Sequence, residues 1–583
     1  MKRIIKSVEF NNYKAFKSGK INLSPISILL GTNSSGKSSL IKLLLMLSQS
    51  SNIPRSKDDF LITYGELADL GDIKNIFFNQ DERSAITLKF NLDSLDTAPL
   101  IRRALASASS VLEDSIRDTY QLLHDIEKPR TNHYKSIIFE ASSILRKTTR
   151  TSDENYIESI VYKFEKTIKM ALSAINYVNR NKDNLEEKNL ELSEIEFQEK
   201  VLFDLDESTI DKGLKISNNL KNIEHAVKLF TQLSTIKTID SLSYTISSRN
   251  KGLCVDSVRL DSSSNFIQLD LWNNKTKRSH TKITSNIIDT SSIDKSKRRI
   301  KEVISFQGFA IGLPKVRLYQ NMTSPRMIRE KLTEYGPLFF LAYTFGDVSQ
   351  KIQREFSSRN INHVSPLRFT PERYFLMDNK QENQANISNS GKQLLEILND
   401  KPDLKKDVNK WMKKFDLEVD VNDITHIIHS IKIKDSGLDL DITDVGFGVS
   451  QILPVILQSV MAAPRSLTII EQPEIHIHPK MQSALADFFI EQINDTEKYF
   501  LIETHSEALL KRLRRRMAEN NSDNRIGVSY ENVDIHFIEK RKDKKSGAKI
   551  KTIDISPTGA FEWPKDFKEN DIEDTIEFMK HQG

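Results

Sequence analysis

Two hydrophobic rhythms run along this chain. Residues 3 to 10 alternate polar and apolar side chains, and Ile26-Ser-Ile-Leu-Leu30 is a short β-branched and leucine-rich run. Both predict strands, separated by the turn-forming residues around Asn11, Asn12 and Lys17-Ser-Gly19. A glycine-containing loop and a leucine-rich segment from Leu40 to Leu47 follow, predicting a helix. Strand patterns return at Leu61 to Tyr64 and at Ala85 to Phe90. These elements make half of an α/β fold, so its other half must come from later in the chain.

From about Pro99 to Ile239 the period lengthens to a helical one, as at Ile157, Ile160, Val161 and Phe164. Leu185, Leu190, Leu192, Ile195 and Phe197 keep no sustained heptad, which predicts a compact bundle or short hairpin and not a long coiled coil. Residues 243–272 return to alternation, and a basic, serine-rich loop is expected from Lys275 to Arg299. Beyond residue 360, strands are expected near Ile431 to Ile433, Leu467 to Ile470, Tyr499 to Glu503 and Val533 to Ile538, with helices between them. That order suggests a largely parallel, covered sheet. The expected division is a first lobe over 1–95, an inserted helical domain over 96–240, a mixed continuation over 241–359 and a second lobe over 360–583. No repeat of fixed period is present.

Composition narrows this reading. At 583 residues the chain exceeds what one core usually organises, and 38% hydrophobic with 28% charged residues is a globular balance. The net charge of +5 from 85 basic and 80 acidic side chains carries no global nucleic-acid signature, so such binding must come from local patches. The basic runs Lys511 to Arg516 and Lys540 to Lys545 are the local candidates, with solvated faces as the plainer reading. Cys254 is the only cysteine, which excludes an intramolecular disulfide and a cysteine zinc site and points to a reducing cytoplasm. Apolar stretches such as Leu338 to Tyr343 fall short of the roughly 20 residues that span a bilayer, so no membrane role is expected.

The candidate chemistry lies in four segments. Gly31-Thr32-Asn33-Ser34-Ser35-Gly36-Lys37-Ser38, with Ser39 behind it, joins an expected strand to an expected helix, the context that gives a P-loop its meaning. Glycines let successive amides point at phosphate oxygens, and the helix N-terminus favours the anion. Lys37 would reach the β- and γ-phosphates of ATP, and the Ser38 hydroxyl would bind Mg2+. Next, Leu467-Thr-Ile-Ile-Glu471 delivers an acid to the carboxyl end of a strand, where it can hold the magnesium-bound water; an ordinary acidic turn is the plainer alternative.

Asp444-Val-Gly446-Phe-Gly448-Val-Ser450-Gln451 precedes an apolar helix and could present amides and a hydroxyl to a second anion. One chain seldom needs two phosphate cradles, so this one is expected to serve the nucleotide on an opposite subunit. Alone, such a segment is more often a glycine-rich helix cap. Finally, Tyr499-Phe-Leu-Ile-Glu503-Thr-His505 ends a strand in a histidine whose neutral imidazole could bond a γ-phosphate oxygen or the attacking water.

Together and in this order, the four segments resemble the ABC-type ATPases of the structural-maintenance-of-chromosomes and RecF class over about 3–95 and 360–583. More narrowly, NYKAF, GELADLGDIKNIF at Gly65 to Phe77, VSPLRFTPERYF at Val364 to Phe375, IEQPEIHIHP and ETHSE look like ATPases of bacterial antiphage operons, of the Septu and retron-associated kind. The resemblance implies an α/β head built from N- and C-terminal segments, with a large, mainly helical insertion. It implies a homodimer or higher homo-oligomer joined through ATP-sandwiched heads, and an HNH-type effector nuclease as partner. It assigns Gly31, Gly36, Lys37 and Ser38 to Walker A, Gly446, Gly448, Ser450 and Gln451 to the signature, Glu471 to Walker B, Ile475 to Pro479 to the D-loop and His505 to the switch histidine. His476 and His478 are read as D-loop residues, not as a metal pair. Gln49 and Gln307 are candidates for a Q-loop glutamine, while Arg368 and Arg373 carry no derived role.

One position departs from the family. Where most such ATPases carry a catalytic glutamate after the Walker B acid, this chain has Gln472, an amide that orients water but cannot take its proton. Turnover should be slow unless Glu471 or Glu474 substitutes. A self-contained nuclease of the overcoming-lysogenization-defect kind is disfavoured, because the 78 residues after His505 contain no DxD. A DNA-repair clamp of the RecF kind is the alternative.

Overall fold

The structure is a computed structural model. It describes residues 3–52, 60–125, 131–146, 162–176, 207–249, 252–273, 278–289, 293, 304–312, 335–366, 368, 370–376, 391–425, 427–435, 437–523, 527–543 and 545–564. Two compact units divide the chain: Met1–Asp93, Ser243–Val255 and Lys351–Gly583 form one, and Ser94–Leu242 with Asp256–Gln350 form the other.

In chain order the first segment comprises β1 (Ile5–Tyr13), β2 (Phe16–Asn22), β3 (Ile26–Gly31), α1 (Lys37–Ser51) and β4 (Ile86–Asp96). The middle comprises α2 (Ala98–Asp125), α3 (Thr131–Arg146), helical residues 162–176, α4 (Glu207–Ser234), β5 (Thr238–Arg249), β6 (Gly252–Ser262), β7 (Asn265–Asn273), β8 (Arg278–Ser285), β9 (Ser305–Gln307), β10 (Ala310–Gly312) and α5 (Pro337–Glu355). The last comprises β11 (Ile361–Val364), β12 (Phe375–Leu376), α6 (Gly391–Asp400), α7 (Pro402–Met412), β13 (Leu417–Asp423), β14 (Ile428–Asp435), β15 (Leu438–Asp441) and α8 (Phe447–Met461). It continues with β16 (Leu467–Glu471), α9 (Pro479–Thr496), β17 (Tyr499–Glu503), α10 (Glu507–Ser522), β18 (Val533–Glu539) and β19 (Lys549–Ile553).

The first unit is built on a six-stranded sheet of order β11-β16-β17-β3-β18-β19. Its first five strands are parallel, and β19 closes the edge antiparallel to β18. β3 and β17 are buried along their whole length and β16 over Leu467 to Ile470. Such unbroken apolar strands require cover on both faces, as parallel sheets do. Ile452, Leu453 and Ile456 of α8, Phe488 and Phe489 of α9 and Leu509, Leu510 and Leu513 of α10 share a core with Ile28, Ile470 and Ile502. Each fully buried aliphatic side chain here contributes on the order of 2 kcal/mol. The head is therefore α/β and drawn from both ends of the chain.

Two further antiparallel arrays belong to this unit. β1 pairs with β2 and β4, and β14 pairs with β12, β13 and β15. In the second unit α2 packs on α3 and α4, and β6, β7 and β8 form an antiparallel meander. The inserted region is thus mainly helical, with strands at its return.

Local expectations differ at three places. The residues expected to turn, around Asn11 and Asn12 and at Lys17 to Gly19, lie inside β1 and β2, and the chain turns instead at Lys14 and Ala15, with Lys14 at φ 47°. Leu61 to Tyr64 is not a strand; Tyr64 makes one isolated bridge to Asp69. The Gln49 side chain explains this, because its amide takes Ile62 O and Ala68 O while its oxygen accepts Ala68 N–H, replacing ladder bonds. Within the stretch expected as a loop from Lys275 to Arg299, Arg278 to Ser285 forms β8 against β7. Its polar composition suits a strand with one solvated face, Ile283 supplying the buried contact. Ile157, Ile160, Val161 and the run Leu185 to Phe197 lie outside the described residues. Among the described residues no helix is long and apolar enough to cross a membrane.

Candidate functional site

The parallel sheet brings three of the four candidate segments to one edge. In register, Glu471 ends β16 beside Glu503 at the end of β17, and Glu503 lies beside Leu29 of β3, two residues before Gly31. Carboxyl ends of parallel strands are where ligands bind in open α/β sheets.

The loop from Gly31 to Gly36 turns sharply from β3 into α1. Gly31 and Gly36 adopt φ of 148° and 120°, and a Cβ on Gly31 would lie 2.6 Å from Ile538 O. Side chains are excluded there by both backbone and space. Asn33, Ser34 and Ser38 are exposed and Thr32 and Ser39 partly so, whereas Ser35 is buried with its hydroxyl unpartnered. The first amides of α1 lack a preceding helical turn to bond, and of these Ser39 and Leu40 donate to Gly36 O at 3.0 and 3.2 Å.

Lys37 is buried. Its Nζ donates to Gly31 O at 2.8 Å and Thr32 O at 3.1 Å and stands 3.7 Å from Glu503 Oε1. Burial lowers the ammonium's pKa, and Glu503 offsets part of that. The Glu503 carboxyl is pushed up to about 7, chiefly by burial, with Lys37 drawing it down and Glu471 pushing it up. Its Oε2 is buried without a partner.

Glu471 is partly exposed, and its Oε1 lies 2.8 Å from His363 Nε2 on β11. Beyond it the chain turns through Gln472 at φ 45°, whose N–H donates to Glu503 O. Glu474 is engaged at both oxygens, accepting His505 N–H at 2.6 Å and the Thr504 hydroxyl at 2.8 Å. Burial raises its pKa against those bonds. Glu474 thereby fixes the backbone from which the exposed His505 projects. Partial desolvation at the sheet edge and then Lys37 lower the imidazole's pKa, favouring its neutral form.

The fourth segment caps α8. Gly446 and Phe447 are exposed, and a Cβ on Gly448 would stand 2.8 Å from His476 O, so only glycine admits this approach to the 475–479 loop. Ser450 is buried and its hydroxyl donates to Phe447 O, so the sequence expectation of an outward hydroxyl differs from its packing. Gln451 is also buried and accepts from Arg368. His478 caps α9 by accepting Lys480 N–H. Gln49 is spent on the 62–68 backbone, and Gln307 lies on β9 in the second unit.

Glu503, His363 and Arg368 went unassigned by sequence reasoning. The signal for Glu503 was its acid at the end of an apolar strand, the same signal used for Glu471. The basic run on α10 is largely engaged within the head. Lys511 pairs with Glu507, Arg512 with Asp487, Arg515 with Glu519 and Arg516 with both acids. Arg514 lies over the Phe561 and Trp563 rings.

Residues 1–510 match the family described as "AAA ATPase domain". Among solved structures, the SMC head domain from Thermotoga maritima is 8% identical, with 95% of this chain and 100% of that chain covered and a TM-score of 0.29. An Smc head domain with a coiled coil and joint derived from Pyrococcus yayanosii is 10% identical, with 95% and 98% covered and a TM-score of 0.27. An Smc head domain with an extended coiled coil bound to the C-terminal domain of ScpA, derived from Pyrococcus furiosus, is 8% identical, with 99% of each chain covered and a TM-score of 0.30. No curated protein matches the chain.

The crowding of acids around Lys37 has a pH signature. Because the Glu503 carboxyl is held above its ordinary 4.5, at about 7, the folded chain binds that proton more tightly than the unfolded chain. Stability from this group is therefore full below pH 4.5 and falls as the pH rises to about 7. In magnesium-free buffer, Glu503→Gln should melt like the parent near pH 5 and roughly 2–4 °C higher at pH 8. An equal offset at both pH values would contradict the burial of this carboxyl beside Glu471.

Proposed function

The chain belongs to the AAA ATPase domain family, and we propose that it binds ATP with Mg2+ at the carboxyl edge of its parallel sheet, in a site completed by the signature segment of a second copy. The observation that carries this reading is Lys37, a buried ammonium held at the mouth of a positive-φ glycine loop by two backbone carbonyls. Those carbonyl bonds are ones that phosphate oxygens can replace, and an anion there would compensate a charge that burial now disfavours.

The residues fit the metal as well. The exposed Ser38 hydroxyl and the Glu471 carboxylate are hard oxygen donors suited to Mg2+, which takes one or two protein ligands and completes its shell with phosphates and water. When bound, Mg2+ supplies positive charge to the terminal phosphates. Among the described residues no cluster of three or more His, Cys, Asp or Glu is arranged to hold a metal by protein ligands alone.

Within this reading each residue has a task. Lys37 and the amides of the Thr32 to Ser38 turn not spent on the loop's own carbonyls bind phosphates, His363 orients Glu471, and Glu474 fixes the segment that carries His505. His505, kept neutral, can donate to a phosphate oxygen or orient water. Gln472 holds water without accepting its proton, so hydrolysis is slow and the closed dimer long-lived. Gly446, Phe447 and Gly448 present exposed backbone and an aromatic ring, 68% exposed in Phe447, to the opposing copy.

A slow, dimer-completed ATPase suits a switch. The resemblance of the segments around Val364 to Phe375 and Glu503 to Glu507 to ATPases of antiphage operons supports control of an HNH-type effector nuclease in phage defence, in the cytoplasm. A nucleic-acid clamp of the RecF kind is the second reading. The ion pairs that occupy α10 weigh against it.

Lys37→Ala should abolish measurable ATP binding in calorimetry, because the phosphate charge loses its buried counter-ion. Unchanged affinity would overturn the assignment of the loop. Gln472→Glu should raise the steady-state rate of ATP hydrolysis and shorten the life of the closed dimer. A base contributes typically about 10²–10⁴-fold, so even an imperfectly placed carboxylate is measurable. A rate that stays level or falls would show that the missing base is not what limits turnover.

A further inference from the structure

Arg368 is one of two arginines in the 364–376 segment for which the sequence offered no role, and its surroundings give it one. It follows β11 and is half-buried, with desolvation lowering its pKa to about 10 against the pull of Glu474, so it stays cationic at neutral pH. Its Nη2 donates to Glu471 O at 3.0 Å and Gln472 O at 3.2 Å, across the left-handed turn that follows β16. Its Nη1 reaches Gln451 Oε1 on α8 at 3.4 Å. One planar fork therefore touches the acid-bearing turn on one side and the signature helix on the other. Five residues on, Arg373 bonds Asp444 at 2.6 Å and Asp441 at 3.4 Å, tying the same segment to the approach to Gly446.

In the composite site proposed above, the β16 turn serves the nucleotide of its own chain, while the signature segment serves the nucleotide of the second copy. We propose that Arg368 is a positioning residue that couples the two composite nucleotide sites, by fastening the turn at Glu471 and Gln472 to Gln451 of the signature helix. Closure on one nucleotide shifts the β16 turn, and the guanidinium carries that shift to the helix that completes the other site. This inference rests on the dimeric ATPase reading. A lysine reproduces it poorly, because its donors radiate from one nitrogen, whereas the guanidinium meets the turn through Nη2 and the helix through Nη1.

The test uses the full-length protein and three variants: Arg368→Lys, Gln451→Ala and the double variant. The parent should hydrolyse ATP with a sigmoidal dependence on ATP concentration. Arg368→Lys and Gln451→Ala should each bring the Hill coefficient to about 1, as expected when coupling between sites is lost. They should also lower kcat by about tenfold or more, the scale of a lost charge-assisted hydrogen bond. In Arg368→Lys, calorimetric ATP affinity in the absence of magnesium and the melting temperature should stay near parental values. The double variant should be no worse than the poorer single one, since both break one connection.

Retained sigmoidality in Arg368→Lys, losses that add in the double variant, or activity falling only in step with melting temperature would each overturn the coupling role. So would a parent that hydrolyses ATP without cooperativity. A parent that binds no ATP would sink the underlying reading and this inference with it. A parent that binds ATP through Lys37 while Arg368→Lys keeps its Hill coefficient would sink this inference alone.

Discussion

The central constraint on this head is electrostatic: one buried ammonium, Lys37, stands among Glu471, Glu474 and Glu503 where adjacent parallel strands end. Water is largely excluded by the apolar strands and the helices on both faces, so each charge must be answered locally. Glu503 answers Lys37 at 3.7 Å, the backbone of the loop supplies two carbonyls, and Glu474 is stabilised by the 504–505 segment. The edge is thus held in a state that a polyanion and a divalent cation would reorganise, and the strand order fixes which groups take part.

Much of this was legible in the sequence, and the reasons differ by residue. The glycine loop could be placed because its glycines, lysine and serine keep the spacing a P-loop requires, and because Ile26 to Leu30 is an apolar run that forms a buried strand. Glu471 and His505 could be read because each follows such a strand. Glu503 was not singled out although it ends the same kind of strand, since only the register with Glu471 and the reach of Lys37 give it meaning. Arg368 was illegible for a similar reason. Its three acceptors come from residues 83 to 104 positions away.

Where pattern reading went astray, side chains had replaced backbone pairing or ion pairs had consumed charge. Leu61 to Tyr64 has strand-like composition, but Gln49 satisfies the neighbouring backbone and removes the need for a ladder. The α10 run is a local candidate for phosphate contacts in the sequence, with a solvated face as the plainer reading. Asp487 and Glu519 neutralise much of it within the head, and a charge run in sequence does not reveal such partners. The Ser450 hydroxyl turns inward to Phe447 O, so the outward surface of the signature segment consists of Gly446 and Phe447 with the half-exposed Gly448.

The most direct measurement of the account is complementation between two inactive heads. Lys37→Ala removes phosphate binding from the chain's own site, whereas Gly446→Glu places a carboxylate on the signature surface, where a Cβ meets nothing within 4 Å and the fold has room for it. If each site joins one chain's loop to the other's signature, either variant alone should be inactive, and mixing them should restore ATP hydrolysis from the one intact composite site of the mixed dimer. Normal hydrolysis by Gly446→Glu alone, or a mixture no more active than the average of its parts, would contradict a site shared between two copies.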